Sequence, residues 1–242
     1  MTTKEIKQET KKPNCVGIIM DGNRRWAKAR GLHSFHGHRA GYNKMKEIVD
    51  WSIKEKISNL ILYAFSIENW QRSKEEVFYL MGLMKLMADK DKELSLFKEK
   101  GVCVSFIGDM SLVSKDTKEL IIKVEQETLE LKELHLVITF SYGGRREILN
   151  AFKEIIKVKN KKEIENITEE VFSRFLWTGS VGVPDPDLII RTSGEMRLSN
   201  FLTWQSAYSE LFFTKTYWPD FDYEEFKKIL EEFSLRERRL GK

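Results

Sequence analysis

The chain has 242 residues, with 41 Lys and Arg against 37 Asp and Glu and a net charge of +4. Because this small basic excess is spread along the whole chain, it does not indicate a nucleic-acid partner, but it suits an anionic small substrate or loose attraction to an acidic membrane surface. No apolar run approaches the roughly 18 residues that a membrane span needs, and Met1 to Lys12 lack the apolar centre of a signal peptide or anchor.

The two cysteines and the absence of linkers indicate one domain in a reducing compartment. Cys15 and Cys103 lie in apolar strand-like runs without CxxC spacing, which is typical of small buried residues. A cytoplasmic enzyme is the simplest setting. No Pro/Gly/Ser linker interrupts the chain, so we predict a polar tail over residues 1–14 and a single α/β domain over residues 15–242.

The first predicted strand ends abruptly in polar residues. The apolar run Val16 to Met20 suits a strand covered on both faces, and Gly22 can turn the chain sharply into a helix. Because helix N-termini favour anions, Arg24 and Arg25 beside this turn predict a diphosphate site. Asp21 would repel a phosphate unless a divalent cation such as Mg²⁺ lay between them. The alternative is that Asp21 only caps the helix.

The next segment predicts a helix, a strand and a second polar strand end. Apolar residues at helical spacing predict a helix over Gly37 to Lys56, and Asn59 to Phe65 is typical of a buried strand. The polar cluster Ser66 to Arg72 follows that strand. The SKEE sequence at 73–76 matches the S/T-x-x-E capping box, so a long helix is expected to begin near Lys74.

This long helix has too many apolar positions for a single stripe. They run from Val77 to Phe97 and include several methionines. A helix that is apolar nearly all round is buried on two sides, so one side can rest on the sheet. The other side either packs in the core, which is the simpler interpretation, or lines an apolar cavity, for which methionine is well suited.

The rest of the chain continues the alternation of strands and helices and carries two further polar strand ends. The predicted elements are a strand over Val102 to Ile107, a helix over Ser114 to Leu131, a strand over His135 to Phe140, a helix over Arg146 to Ile156, a surface loop over Lys157 to Lys162, a helix over Thr168 to Leu176, a loop over Gly179 to Asp187, strands over Leu188 to Ile190 and Glu210 to Phe213, and a last helix opened by Asp222. The fold class is therefore α/β, with a central, mostly parallel six-stranded sheet flanked by helices.

Polar residues after successive parallel strands should converge, because open parallel sheets bind ligands at the carboxyl edge. The side chains expected there carry enough positive charge for two diphosphates and a metal: Asp21, Arg25, His38, Asn69, Arg72, Arg191, Arg197 and Ser199. Neither a Walker A nor a G-x-G-x-x-G sequence is present, which argues against ordinary nucleotide binding.

Seven sequence motifs carry a resemblance to a known family: MDGNRRWA, GHRAG, YAFSIENWQR, SYGGRR, RTSGEMRLSNFLTWQSAYSELFF, WPDF and RERRLG. In this order, over residues 15–241, the chain resembles the cis-prenyltransferases, and among them the bacterial undecaprenyl diphosphate synthases. The resemblance implies condensation of isopentenyl diphosphate in cis geometry onto farnesyl diphosphate. It also implies Mg²⁺, a homodimer, a lipid product delivered to the membrane, and a tunnel for the growing chain, which favours the cavity interpretation of the long helix.

The resemblance also assigns roles to individual residues. Asp21 would be the magnesium ligand most needed for turnover, assisted by Glu210. The allylic diphosphate would be held by Gly22, Asn23, Arg24, Arg25, Trp26 and His38. The second edge of the site would be shaped by Ser66, Ile67, Glu68, Trp70 and Arg72. Isopentenyl diphosphate would be held by Arg191, Arg197, Leu198 and Ser199, and a C-terminal motif with Arg239 and Gly241 would reach phosphates across the dimer. Asn69 is the suggested participant in proton removal, but because an amide is a poor base we expect it to position substrate.

Four positions depart from the family's pattern, and apart from Ser34 none of them removes a charged catalytic group. Ser34 stands where the family has an arginine upstream of GHRAG, so one diphosphate contact is missing, and His33, His36 or Arg24 could compensate. The other three are Ile67 in place of a small polar residue, Ser141 in place of asparagine, and Ser73 in place of proline. The histidines around Ser34 could suggest zinc, but no cysteine or acid nearby completes a tetrahedron.

Alternatives to the expected activity come from three classes. A cis-prenyl diphosphate synthase of shorter or medium product length would share every motif. A non-catalytic partner subunit should lack the first acid or the arginine motif, yet Asp21, Arg191 and Arg197 are present. An unrelated binding protein for phosphorylated metabolites would explain the polar strand ends but not a helix that is apolar on two sides.

Overall fold

A computed structural model describes residues 12–87 and 93–236. Its centre is a six-stranded sheet in the order β3-β4-β2-β1-β5-β6, in which every neighbouring pair is parallel. The strands are β1 (Cys15–Ile19), β2 (Asn59–Ser66), β3 (Val102–Ile107), β4 (Leu134–Tyr142), β5 (Leu188–Arg191) and β6 (Glu210–Phe213). The predicted α/β class and six-stranded sheet are confirmed, and the C-terminal motif at Arg239 and Gly241 lies outside the described residues.

The strands are apolar because helices and loops cover both faces of the sheet. All five residues of β1 are buried, which is typical of parallel strands. Alternate side chains of β1 point to opposite faces, so Val16 and Ile18 join one core while Cys15 and Ile19 join the other. Burial raises the pKa of the Cys15 thiol, as expected for an inert buried cysteine, whereas Cys103 is only partly buried.

Ten α-helices are found in the described part of the chain. They are α1 (Asn23–Ala29), α2 (Ser34–Lys54), α3 (Lys74–Leu86), α4 (Glu93–Glu99), α5 (Lys115–Thr128), α6 (Gly144–Val158), α7 (Lys161–Glu165), α8 (Glu169–Ser173), α9 (Trp177–Ser180) and α10 (Tyr223–Leu235). Ser73 and Asp222 cap α3 and α10 as predicted, each accepting a hydrogen bond from the backbone N–H three residues later. Within 12–87 and 93–236, no helix is long and apolar enough to cross a membrane.

Several boundaries differ from the prediction for local reasons. Helix α2 begins at Ser34 rather than Gly37, because a ring nitrogen of His33 caps it by accepting from the Phe35 N–H. The predicted surface loop at 157–162 is shortened because Asn160 and Glu163 form a capping box that starts α7. Of the single helix predicted through Phe97, the structure describes α3 and α4, and residues 88–92 lie outside the described residues.

Candidate active site

The turn after β1 places Asp21 at the carboxyl edge of the sheet. The residue before α1 is Gly22, with φ +107°, and no side chain caps the helix. The alternative that Asp21 serves as a helix cap is therefore wrong. The backbone carbonyl of Asp21 instead accepts from the Thr192 hydroxyl at 2.7 Å, which ties the turn to the end of β5.

We expect Gly22→Ala to lower the free energy of unfolding by about 1–3 kcal/mol, because an L side chain is strained at this φ. The added Cβ would also lie 2.9 Å from the ring of Tyr217 and 3.0 Å from the Cβ of Ser193. Urea denaturation measures the change. The matched control is Gly82→Ala in α3, where an added Cβ meets no atom within 4 Å. This substitution should stabilise the helix by about 1 kcal/mol. Equal effects of the two variants would contradict this account of the turn.

Two arginines converge on the Asp21 carboxylate. Nη2 of Arg191 lies 2.8 Å from Oδ2 of Asp21, and Nη2 of Arg25 lies 3.2 Å from the same oxygen. Partial burial alone would raise the pKa of Asp21, but the hydrogen bonds and charges of Arg191 and Arg25 hold it below the ordinary value. Asp21 is therefore ionised at neutral pH.

Arg191 is the most deeply placed cation of the site, with 4% of its surface exposed. Its Nη1 donates to Ser199 Oγ at 2.8 Å and to the backbone oxygen of Arg197, so the loop after β5 folds around it. Ser199 and Asn200 adopt positive φ in this loop. The planar guanidinium of Arg191 thus links Asp21, at the end of β1, to the loop that follows β5.

Glu195 links the two predicted diphosphate regions, and the sequence analysis did not identify it. Its Oε1 lies 3.0 Å from Nη1 of Arg25, and its Oε2 lies 2.5 Å from Nη1 of Arg197. The available signal was an acid inside an otherwise basic motif, RTSGEMR. The Glu195 carboxylate thus lies between two cations, a position that a phosphate group could also occupy.

The end of β2 forms the second edge of the site through a 3-10 helix, Ile67–Gln71. The Asn69 side-chain oxygen accepts from the Ser66 N–H at 3.1 Å, so this amide braces the turn. Glu68 accepts from Asn200 Nδ2 at 3.0 Å, which joins the second edge to the arginine loop. Trp70 donates its indole N–H to Ser141 Oγ at 2.9 Å, so Ser141 has a defined structural role.

Glu76, at the start of α3, is a second residue whose site contacts were not anticipated. Its Oε1 lies 2.9 Å from Nε2 of His38, 3.0 Å from Nη1 of Arg72 and 4.0 Å from Nε of Arg24. Burial would raise the pKa of Glu76, but the His38 hydrogen bond and the arginine charges lower it. Burial lowers the pKa of His38 despite its bond to Glu76, so the imidazole is neutral at pH 7.

We expect Glu76→Gln to lower the free energy of unfolding by about 1–3 kcal/mol at pH 7, because Arg72 loses a buried charged partner. The folded-state pKa of Glu76 is depressed, so its stabilisation is present above the ordinary value of about 4.3 and is lost as pH falls through the lower folded value. Urea denaturation from pH 3 to 8 should therefore show the deficit shrinking below about pH 4. A deficit of constant size across this range would contradict the ion-pair account.

A cavity of about 1120 Å³ opens between α2, α3 and the sheet. Twelve of the predicted site residues line it: Asp21, Gly22, Asn23, Arg24, Arg25, His38, Ser66, Glu68, Asn69, Arg72, Arg191 and Ser199. Ser34 also lines it. The rest of its wall is largely apolar, with contributions from α2 (Tyr42, Met45), β4 (Ile138, Phe140) and α3 (Leu80, Leu83, Met84, Met87). One side of α3 therefore faces a cavity, as the resemblance implied.

The remaining predicted residues lie elsewhere in the described structure. Those that do not line the cavity are Trp26, Ile67, Trp70, Arg197, Leu198 and Glu210. The Trp26 indole donates to Asp220 at 2.6 Å and lies under the Arg30 guanidinium. Trp26 therefore links α1 to a 3-10 helix, Trp218–Asp220. Glu210 pairs with Leu188 at the amino end of β5, three residues from the edge at which Asp21 lies, and its carboxylate contacts Arg236 at 2.6 Å.

The donor set at Asp21 is compatible with Mg²⁺. Both arginine contacts use Oδ2, which leaves Oδ1 available for a cation. No group of three or more His, Cys, Asp or Glu side chains is arranged to hold a metal ion in the part of the chain that the structure describes. The residues therefore fit a cation that takes one carboxylate and completes its shell with substrate phosphates and water, as Mg²⁺ commonly does.

Comparison with known proteins matches this chain along almost its whole length. The family model described as putative undecaprenyl diphosphate synthase matches residues 19–241. The isoprenyl transferase of Thermotoga maritima is 49% identical over 95% of this chain and 97% of its own. The tritrans,polycis-undecaprenyl-diphosphate synthase (geranylgeranyl-diphosphate specific) of Pyrococcus horikoshii is 44% identical over 95% of this chain and 87% of its own.

Two solved structures share the fold. The lavandulyl diphosphate synthase from Lavandula x intermedia, in complex with dimethylallyl diphosphate, superimposes with a TM-score of 0.89 at 33% identity, covering 96% of this chain and 99% of that chain. A probable undecaprenyl diphosphate synthase from Campylobacter jejuni superimposes with a TM-score of 0.78 at 33% identity, covering 96% of this chain and 100% of that chain.

Proposed function

This chain belongs to the undecaprenyl diphosphate synthase family of cis-prenyltransferases, and we propose that it condenses isopentenyl diphosphate in cis geometry onto farnesyl diphosphate to make undecaprenyl diphosphate. The observation that carries the proposal is a cationic sheet edge that opens directly into a large apolar cavity. A diphosphate can bind at that edge while its hydrocarbon chain extends away from water. Neither feature alone would distinguish this chemistry from binding of a phosphorylated metabolite.

The allylic diphosphate is assigned to the first edge of the site. Arg24, Arg25 and His38 line the cavity there. The two arginines can donate to phosphate oxygens, while the single N–H of the neutral His38 donates to Glu76 and holds that carboxylate beside Arg24. Ionisation of the allylic substrate develops negative charge on the leaving diphosphate. Guanidinium groups fixed before the reaction stabilise that charge, and they do so most strongly where water is excluded.

Isopentenyl diphosphate is assigned to the loop around Arg191, in which Ser199 lines the cavity and Arg197 is linked to the cavity residue Arg25 through Glu195. Asn69 braces the opposite edge, and its amide oxygen is already engaged with the Ser66 N–H. We therefore assign Asn69 a positioning role and leave the proton of the condensation to a phosphate oxygen or a carboxylate. When bound at Asp21, Mg²⁺ would neutralise charge on the substrate phosphates, and Glu210 stays a predicted second ligand.

The apolar wall supports elongation rather than a single condensation. Each added unit moves more hydrocarbon into the cavity, at about 0.8 kcal/mol per buried CH₂. The proposal includes a homodimer, which is supported by a stripe of half-exposed apolar residues on α6, Leu149, Phe152 and Ile156, at i, i+3 and i+7. It also includes delivery of the lipid product to a membrane.

The test is elongation of radiolabelled isopentenyl diphosphate with Mg²⁺ and either farnesyl or geranylgeranyl diphosphate, read as product length by chromatography. A ladder that starts from farnesyl diphosphate and ends near eleven isoprene units is the expected result. Preference for geranylgeranyl diphosphate would change the starter, and a shorter endpoint would change the product. Absence of elongation with both starters would overturn the proposal and favour a non-catalytic subunit.

A further inference from the structure

The loop after β5 supplies the cap of helix α6, because the helix's own N-cap residue, Gly143, has no side chain to do so. The backbone N–H of Gly144 donates to the carbonyl oxygen of Asn200 at 2.8 Å. The N–H of Arg145 donates to Asn200 Oδ1 at 2.9 Å, across 55 positions of the chain. The first N–H groups of a helix find no acceptor within the helix itself. Asn200 therefore satisfies two such groups from a distant loop.

The close approach of this loop explains the pair of glycines in the motif SYGGRR. A Cβ added to Gly143 would lie 2.7 Å from Asn200 Nδ2. A Cβ added to Gly144 would lie 2.8 Å from the backbone nitrogen of Thr203. Both distances are shorter than real Cβ atoms tolerate. The two glycines thus leave the space that the loop occupies against α6.

The hydrogen bonds of the Asn200 amide fix its orientation. Because Oδ1 accepts from the Arg145 N–H, Nδ2 faces Glu68 and donates to its Oε1 at 3.0 Å. Exchanging the two ends of the amide would set a donor against a donor and an acceptor against an acceptor. Asn200 also has φ +66°, a left-handed conformation that asparagine adopts more readily than most residues. One amide therefore connects α6 to the second edge of the site.

The neighbour of Asn200 in the chain is Ser199, which is assigned to isopentenyl diphosphate. Ser199 Oγ accepts from Arg191 at 2.8 Å, and the Ser199 backbone oxygen accepts from the Tyr63 hydroxyl at 3.2 Å. Asn200 and Glu68 both line the cavity. Displacement of the Asn200 side chain would therefore disturb the loop that carries Ser199 and the edge that carries Glu68 at the same time.

We propose that Asn200 is a positioning residue of the condensation: it holds the loop with Ser199 against α6 and, through Glu68, at a fixed distance from the second edge of the site. Asn200 acts through these neighbours rather than on the reacting atoms. The proposal rests on the proposed function, because it assumes that Ser199 binds isopentenyl diphosphate.

The experiment exchanges the donor and the acceptor of the bond between Asn200 and Glu68. Asn200→Asp keeps the oxygen that caps α6 but sets one carboxylate against another, and like charges repel. At about pH 8, where both groups stay ionised, kcat/KM for isopentenyl diphosphate should fall by about 10–100-fold. In the double variant Asn200→Asp, Glu68→Gln, the new amide can donate to the new carboxylate, so at least about tenfold of kcat/KM should return.

Two further variants complete the comparison. Glu68→Gln alone keeps an acceptor oxygen for Asn200, and its kinetics supply the fourth corner of the double-mutant cycle. The matched control is Asn160→Asp, because Asn160 caps α7 by accepting from the Glu163 N–H at 3.1 Å and lies outside the cavity wall. Its kcat/KM should stay within about twofold of the wild type.

The outcomes separate this proposal from the proposed function. If the wild type does not elongate, the proposed function fails and the role of Asn200 fails with it. If the wild type elongates but the double variant is no more active than Asn200→Asp, only the role of Asn200 is overturned, since a residue that merely caps α6 would show no such recovery.

Gly143→Ala is the second route to the same test, should Asn200→Asp fail to fold in thermal denaturation. Gly143 has φ −162°, an extended conformation that alanine adopts freely, but the added methyl group displaces Asn200 Nδ2 from Glu68. This variant should raise KM for isopentenyl diphosphate by about tenfold. Unchanged kinetics with Gly143→Ala would also overturn the positioning role.

Discussion

The variant Asp21→Asn is expected to reduce kcat by about 10²–10³-fold, the loss found when a single preorganised electrostatic group is removed from an active site. Asparagine has the same shape and can still accept a hydrogen bond from Arg191, which now lies 2.8 Å from the carboxylate. The fold should therefore survive while the negative charge is lost. Steady-state kinetics with farnesyl and isopentenyl diphosphate measures the effect, and thermal denaturation confirms folding.

The matched control is Asp185→Asn, a carboxylate in the loop that leads into β5 at the amino end of the sheet. Its kcat should stay within about twofold of the wild type, as for a substitution away from the site. If Asp21→Asn retained activity at the control's level, the arginines would suffice without the acid, and the catalytic role assigned to Asp21 would be wrong.

Asp21 could act by holding a cation or only by organising Arg25 and Arg191, and a second variant distinguishes these roles. Asp21→Glu keeps the charge but moves the carboxylate by one methylene. If Asp21 ligates Mg²⁺, the Mg²⁺ concentration for half-maximal activity should rise in this variant by about tenfold, which corresponds to about 1.4 kcal/mol of binding. If Asp21 only organises the arginines, kcat should fall with no change in that concentration.

The sequence was sufficient to predict which residues meet at the site wherever the information is local. The ends of β1, β2 and β5 were visible as apolar runs that stop at polar residues, and parallel pairing then brings those ends to one edge. The caps Ser73 and Asp222 were equally visible, because a cap and its partner lie three residues apart.

What the sequence did not predict depends on contacts between distant segments. Glu76 was identified only as part of a capping box, yet its side chain reaches His38, 38 positions away in the chain. Trp26, in the middle of a diphosphate motif, instead contacts Asp220, 194 positions away in the chain. The direction in which an individual side chain leaves a helix depends on packing partners, and a motif does not contain that information.

The register of the short strand β6 is also something that the sequence did not predict. Glu210 belongs to a motif that resembles the family throughout, but its position along β6 places it opposite Leu188 rather than opposite Arg191. Successive residues of a strand are about 3.3 Å apart, so three positions separate it from the carboxyl edge by about 10 Å. A role for Glu210 at a magnesium ion in this chain stays a prediction.

Arg191→Lys is expected to lower kcat/KM for isopentenyl diphosphate by about 10²–10³-fold, as when one partner of a buried, hydrogen-bonded charge pair is truncated. One guanidinium now contacts Asp21 through Nη2 and Ser199 through Nη1. A lysine ammonium is a compact charge that cannot make both contacts in the same plane. Kinetics at varied isopentenyl diphosphate would show both a higher KM and a lower kcat, because the loop and the acid are disturbed together.

The same substitution at Arg197 is the matched control, since this side chain is 59% exposed and contacts Glu195. Arg197→Lys should raise KM for isopentenyl diphosphate by less than about tenfold, since exposed ion pairs contribute about 0–1 kcal/mol. It should leave the stability unchanged, whereas Arg191→Lys should lower the free energy of unfolding by about 1–3 kcal/mol.

The pH dependence of that stability loss tests the cause. The pKa of Asp21 is depressed in the folded protein, so the stabilisation by Arg191 is present above the ordinary aspartate value of about 3.9 and is lost as pH falls through the lower folded value. The stability difference between the wild type and Arg191→Lys should therefore shrink in acid. A difference independent of pH would mean that Arg191 stabilises the fold through packing of the loop around it rather than through its charge on Asp21.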